Sequence, residues 1–266
     1  MDRLARPLLV LGLLALLALA GDARARTSEV AVAQAHAARD ASAVAAYRAG
    51  DWSAARAEWT ALLAAEPRAA GPERARLLGN LGNVAFREGR VLESVGWFTA
   101  ALRHAPRDTG LWANLEHARR VAKLEPADRG DLRATLRRLL GAFTPAEARL
   151  LALGGLALLA AGLSFEALRG GRSGRRAALA GAALALALAA PWIHGAWTAL
   201  DAPALIVAEA RTAVRSEPRE SAAVVAEGPA GAEVELVDAL PGWAKVRLAD
   251  ATEGWIPEPA VFALAR

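Results

Sequence analysis

The chain contains no cysteine. That absence excludes disulfides, thiolate catalysis, cysteine-based metal sites and a lipidated N-terminal cysteine, while leaving the compartment open. Lysine is almost as scarce, occurring only at Lys123 and Lys245, so nearly all positive charge is arginine. With the excess of alanine, this reads as a compositional habit before any nucleic-acid signature. Catalytic signatures are missing too. There is no Gly-x-Ser-x-Gly elbow, phosphate loop, dinucleotide fingerprint or His-Glu-x-x-His pair. The four histidines, His36, His104, His117 and His194, are scattered along the chain. No catalytic residue, metal site or cofactor is expected, and the chain reads as non-enzymatic.

Apolar residues are what the chain has in abundance. They make up 55% of its 266 residues, and the mean hydropathy of +0.22 is high for a soluble protein. Part of the length is therefore expected in a membrane. The net charge of +4 is unevenly spread. Residues 129–176 carry nine arginines against three acids, whereas residues 201–266 carry eleven acids against six bases. A nucleic-acid partner would require a basic folded face. Here the surplus brackets hydrophobic segments instead, which points to topology and away from nucleic acid.

Three apolar segments organise the chain. Arg3 and Arg6 precede an uncharged run from Pro7 to Ala20, followed by two small-x-small sites, Ala18-Leu19-Ala20 and Ala23-Arg24-Ala25. Residues 1–25 thus read as a cleaved signal peptide or an N-terminal anchor; both put residues 30–128 outside the cytoplasm. Residues 148–168 and 177–200 read as transmembrane helices, the second carrying Pro191, with Trp192 and Trp197 near its end. Between them, residues 169–176 hold four arginines among glycines and a serine, a flexible turn that the positive-inside rule places in the cytoplasm. Residues 129–146 include Leu132, Leu136, Leu139, Leu140 and Phe143 at helical spacing. This is an amphipathic helix for the membrane surface, or a cap on the preceding domain.

Residues 30–128 repeat. Leu78, Leu81-Gly82, Ala85, Gly89, Ser94, Phe98, Ala101 and Pro106 recur upstream, with Gly50 set against Gly89, Ala43 against Gly82, Ala55 against Ser94 and Trp59 against Phe98. Downstream, Trp112-Ala-Asn-Leu115 follows Leu78-Gly-Asn-Leu81 at a distance of 34. These residues resemble tetratricopeptide repeats, at about 36–67, 75–106 and, partially, 109–126. The resemblance implies an all-α solenoid with a concave peptide-binding groove. Mapped onto the first helices, that groove takes Arg48, Asn83, Arg87, His117 and Arg120, donors suited to an acidic or C-terminal peptide.

After residue 203 the pattern turns to five or six short strands separated by Gly and Pro, as expected of a small all-β barrel. Val214-Arg-Ser-Glu-Pro218, Gly242-Trp243-Ala-Lys-Val246 and Gly254-Trp-Ile-Pro257 resemble a bacterial SH3-like domain over residues 204–264. The family pattern departs at Ala251-Thr252, where a glycine usually turns the hairpin. The resemblance implies binding of peptides or cell-wall material. Trp243 and Trp255 are a candidate ligand shelf, although at least one is expected inside so small a barrel.

The order of export signal, repeats, membrane hairpin and SH3-like domain resembles the BatE-like family of bacterial aerotolerance operons. That resemblance implies a multi-pass inner-membrane scaffold, with repeats and SH3-like domain on the periplasmic or extracytoplasmic side. The partners it implies are von Willebrand-type membrane proteins and a MoxR-type ATPase complex. The alternative is a cell-wall-binding anchor or sensor that meets peptidoglycan through the SH3-like domain.

Overall fold

The computed structural model describes residues 32–65, 71–125, 132–200, 203–208 and 211–264. The export segment and residues 129–131 of the amphipathic stretch lie outside the described residues. The chain divides into two compact units, Met1–Glu66 and Pro67–Arg266.

The first unit holds a helical pair, α1 (residues 32–49) and α2 (Trp52–Ala65). Gly50, at φ +82°, reverses the chain between them, a left-handed conformation that costs glycine no steric penalty. Ala43 and Ala55 are fully buried, as is nearly all of Trp59, whose ring centroid lies 5.9 Å from that of Tyr47. The Trp59 Nε1 donates to Asp40 Oδ1 at 2.9 Å, so burying the indole leaves no orphaned donor. Asp51 caps α2 by accepting from the Ala54 amide at 3.0 Å.

The second unit begins with the same device in different residues. α3 (Pro72–Arg87) turns at Gly89, φ +79°, into α4 (Val91–Leu102). Gly82 lets Phe98 lie against the α3 backbone, since a Cβ there would fall 2.7 Å from the ring. Ser94 is fully buried and returns its hydroxyl to the Val91 carbonyl at 2.7 Å. α5 (Thr109–Val121) follows, capped by Asp108, which accepts from the Leu111 amide at 3.0 Å. Gly79 makes room for Leu111, bringing α3 and α5 close.

α6 (Leu132–Gly141) packs against α8, leaving Leu136 and Leu139 exposed. Thr144 and Glu147 then form a reciprocal capping box that starts α7 (Pro145–Arg169). α7 and α8 (Gly171–Leu200) pack against each other as a hairpin. Gly155 and Gly162 face Ala185 and Ala177, and Gly174 and Gly181 face Glu166 and Leu158. A Cβ on any of these four would stand 2.9–3.0 Å from the facing backbone, so the two glycine pairs, each seven residues apart, set the spacing.

Two windows of this hairpin, Ala146–Leu168 and Gly171–Ala196, are long and apolar enough to cross a membrane. They are only 6% and 11% buried, unlike a core helix, and Leu150, Leu153, Leu156 and Leu186 project outward. The eight-residue arginine turn expected at 169–176 is not what forms. The reversal is confined to Gly170 and Gly171, both at positive φ, and Arg172, Arg175 and Arg176 already belong to α8. The helix-forming arginines are offset by Ser173 and Gly174, and the packing of Gly174 against Glu166 of α7 carries the helix through. Pro191 likewise does not end α8, although it offers no N–H to the carbonyl of Ala187.

The C-terminal strands are β1 (Pro203–Ile206), β2 (Thr212–Arg215), β3 (Val224–Gly228), β4 (Glu233–Leu240), β5 (Trp243–Arg247), β6 (Glu253–Pro257) and β7 (Val261–Ala263). They form one antiparallel sheet in the order β3-β2-β6-β5-β4-β1-β7. This corrects the expected closed barrel. The sheet is open, with β3 and β7 at its two ends, and β2 meets β6 through the single register pair Arg215↔Trp255. Irregular register at Val214/Arg215 and Leu236/Asp238 bends it instead. Ile206, Val214, Val234, Val246 and Ile256, from five strands, gather in one core.

Candidate functional site

Two surfaces carry some of the residues singled out in the sequence. The first is a groove between α3 and α5, a cavity of about 250 Å³. Its polar lining is Arg76, Asn80 and Asn83 from α3, with Asn114 from α5 and the capping Asp108. Residues 76, 80 and 83 recur at helical spacing and so share one face. The Asn114 amide donates to Asn83 Oδ1 at 3.3 Å across the groove. Arg76 is oriented by Glu73, donating to its two carboxylate oxygens at 3.1 and 2.7 Å. Neutral amides beside an oriented guanidinium offer both donors and acceptors, which suits main-chain peptide groups.

Of the predicted groove residues, Asn83 lines this cavity. His117 stands at its neighbour Phe86, ring centroids 5.1 Å apart and tilted by 47°. Arg87 and Arg120 are exposed on α3 and α5. Arg48 is exposed on α1 and belongs to the other unit. Sequence reasoning misses Asn80, Asn114 and Arg76. A signal is there, because Asn80 and Asn114 stand 34 residues apart at the third position of the matching Leu78–Leu81 and Trp112–Leu115 segments.

The second surface is the outer face of β5 and β6. Ala244 and Val246 point inward with Ile256, so Trp243 and Trp255 emerge on the opposite face, each half-buried. Neither belongs to the core, contrary to the expectation that one would. The alternation leaves no choice: Trp243 shares its face with Lys245 and Arg247, and turning it inward would bury both cations. Lys245 pairs directly with Trp255 across the strands, which makes Trp243 a diagonal neighbour of Trp255.

Glu253 organises the charges beside this shelf. It accepts from Lys245 at 2.8 Å and from Arg247 at 2.7 Å, and Arg247 also reaches Glu235. The hydrogen bonds from Lys245 and then Arg247 hold the Glu253 carboxyl below its ordinary pKa. In return, Glu253 and Glu235 raise that of Arg247. In the adjoining turn, Ala251 adopts φ +67°, taking the place of a glycine. The amide of Thr252 donates to Asp250 Oδ1 at 3.0 Å, which closes the turn and lowers the Asp250 pKa.

Residues 210–261 match the bacterial SH3 domain family. The C-terminal sheet is such a domain, with β1 and the end of β7 lying beyond the matched stretch. No curated protein matches the chain.

Proposed function

We propose that this chain is a non-enzymatic, membrane-anchored scaffold of the bacterial envelope that takes an extended peptide segment of a protein partner between α3 and α5. The amide-lined groove carries this reading: Asn80, Asn83 and Asn114 face one cavity with an oriented arginine at its margin. The tetratricopeptide resemblance is supported by the two helical pairs. Both turn on a glycine near φ +80°, and each buries an aromatic of its second helix, Trp59 in one and Phe98 in the other. The α7–α8 hairpin crosses the inner membrane twice in this reading. Its arginine-rich end is cytoplasmic, and the groove and the SH3 domain lie outside. Under the BatE-like resemblance, the partner comes from the von Willebrand-type membrane proteins or the MoxR-type ATPase complex.

A photo-crosslinking residue replacing Asn83 in the full chain, in its native membrane, tests the groove. The expected result is a discrete protein adduct that Asn80→Ala with Asn114→Ala removes. An adduct indifferent to that pair would count against the reading.

A second reading, an anchor or sensor on the cell wall, is favoured by the SH3 family match and by both tryptophans lying on the outer face. Sedimentation of the detergent-solubilised full chain with purified peptidoglycan tests it. Binding should be lost on Trp243→Ala with Trp255→Ala. No sedimentation of the unaltered chain would leave the protein scaffold ahead.

A further inference from the structure

At the end of α8 far from the arginine-rich reversal, four elements enclose a second cavity of about 380 Å³. Arg103 enters at the C-terminus of α4, Leu140 from α6, Phe143 from the link to α7 and Arg149 from α7. Trp192 and His194 of α8 complete the wall. Among the described residues, no carboxylate lines the cavity and neither Arg103 nor Arg149 forms an ion pair. Desolvation lowers the pKa of Arg103 even though the residue as a whole is exposed, so its guanidinium sits partly against protein. The cavity therefore presents two arginines without a carboxylate partner, beside an imidazole, on an apolar floor. Its size is in the range of small-ligand sites, about 300–1,000 Å³.

The position identifies the ligand. Pro191 to Ala196 close the apolar window of α8, where Trp192, 47% exposed, is placed as an interfacial tryptophan is. Exposed Leu136 and Leu139 of α6 and Leu150 and Leu153 of α7 flank the same end. A ligand with an anionic head and an apolar body satisfies both halves. We propose that this cavity holds the phosphate-bearing headgroup of an anionic phospholipid, with Arg103 and Arg149 donating to the phosphate oxygens. Trp192 and Phe143 cover the glycerol, and the acyl chains leave along the exposed leucines of α7. Arginine suits this role because its planar fork donates to two phosphate oxygens at once. The inference rests on the membrane reading of α7 and α8. It would add a lipid clasp holding the end of the repeat region against the bilayer.

The test uses the full chain purified in mild detergent from membranes containing phosphatidylglycerol and phosphatidylcholine, with bound lipid counted by native mass spectrometry. Phosphatidylglycerol should be retained over phosphatidylcholine. Arg103→Gln with Arg149→Gln should lower that retention about tenfold, as expected for losing charge-assisted hydrogen bonds. Arg172→Gln with Arg175→Gln removes the same charge at the other end of the hairpin and should change nothing. Arg103→Lys with Arg149→Lys keeps the charge but loses the fork, and should retain lipid at a level between the glutamine pair and the unaltered chain, which separates loss of the site from misfolding. Equal retention in the glutamine pair and the unaltered chain would overturn the site. Displacement by millimolar inorganic phosphate would make the ligand a soluble phosphate and overturn the lipid assignment. Carbonate extraction distinguishes the premise: an unaltered chain stripped from the membrane sinks the membrane reading and the site together. A chain that stays embedded with unselective lipid sinks the site alone.

Discussion

Phe262 of β7 meets Trp97 of α4 edge-on, ring centroids 4.8 Å apart and planes at 78°. Through this contact the SH3 domain docks on the second helix of the α3–α4 pair. Gly96 makes it possible, since a Cβ there would lie 2.6 Å from the Phe262 ring. Trp97 keeps its indole donor satisfied on Glu93 at 3.0 Å, so its ring is held in place from its own helix. A second contact sits alongside, Leu124 against Gly231. None of these residues lines the α3–α5 groove, so docking leaves it open.

Phe262 is 3% exposed, and its removal should be costly. Phe262→Ala is expected to destabilise the SH3 domain by about 3 kcal/mol, the usual scale for emptying a buried phenylalanine site. Gly96→Val should leave each part folded but separate them. Limited proteolysis of the full chain would show this as new cleavage between α8 and β1, at residues 200–203.

Ala251 is expected to respond in the opposite direction. A β-carbon at φ +67° is strained, so Ala251→Gly should relieve the turn even after the added freedom of the unfolded chain is subtracted. A gain of about 0.5–1 kcal/mol in urea unfolding is expected. A loss would mean that the turn takes another conformation in solution.

The close approach of α7 and α8 depends on glycine. Gly162→Leu would drive a side chain into the Ala177 carbonyl, 2.9 Å from where its Cβ must sit. The absence of native cysteine makes the readout clean, because spin labels can be placed only at Leu156→Cys and Leu186→Cys. The distance between labels should lengthen in the leucine variant. Gly141→Leu, where a Cβ meets nothing within 4 Å, should leave it unchanged.

Acid should loosen the SH3 domain through Glu253. Its folded pKa is depressed by Lys245 and Arg247, so the folded state favours the carboxylate more than the unfolded chain does. The stability this contributes is present above the unfolded pKa and is lost as pH falls through the folded one. Asp250 acts in the same sense through the Thr252 amide. Urea midpoints of the full chain from roughly pH 7 down to pH 3 should fall less steeply in Glu253→Gln than in the unaltered chain. Because the groups are solvent-exposed, about 0.5 M salt should shrink the difference.

Much of the fold is readable in the chain. Gly50 and Gly89 announce turns because only glycine adopts their conformation freely. The length of the two apolar windows announces helices, because uninterrupted apolar runs of that length exceed any ordinary strand. The outer position of Trp243 is readable as well, since Lys245 and Arg247 share its parity along the strand. Size argues for the core, and strand parity wins because burying two cations costs more than half-exposing one indole. The arginine turn misleads for a different reason. Arg-Ser-Gly-Arg-Arg has no strong local preference, and the helix there continues because α7 packs alongside it.

By itself, then, the sequence determined the local elements: where helices turn, which segments are apolar, and where the chain changes from helices to short strands. These follow from dihedral preference and hydrophobic spacing, which act over a few residues. The tertiary structure decided everything that joins distant parts of the chain. Asn83 reaches Asn114, Phe262 docks on Trp97, and Arg103, Arg149 and His194 converge on one cavity. The physical reason is that such contacts depend on how far helices approach and how a sheet bends. Those distances are set by packing across the whole fold, which no short stretch encodes.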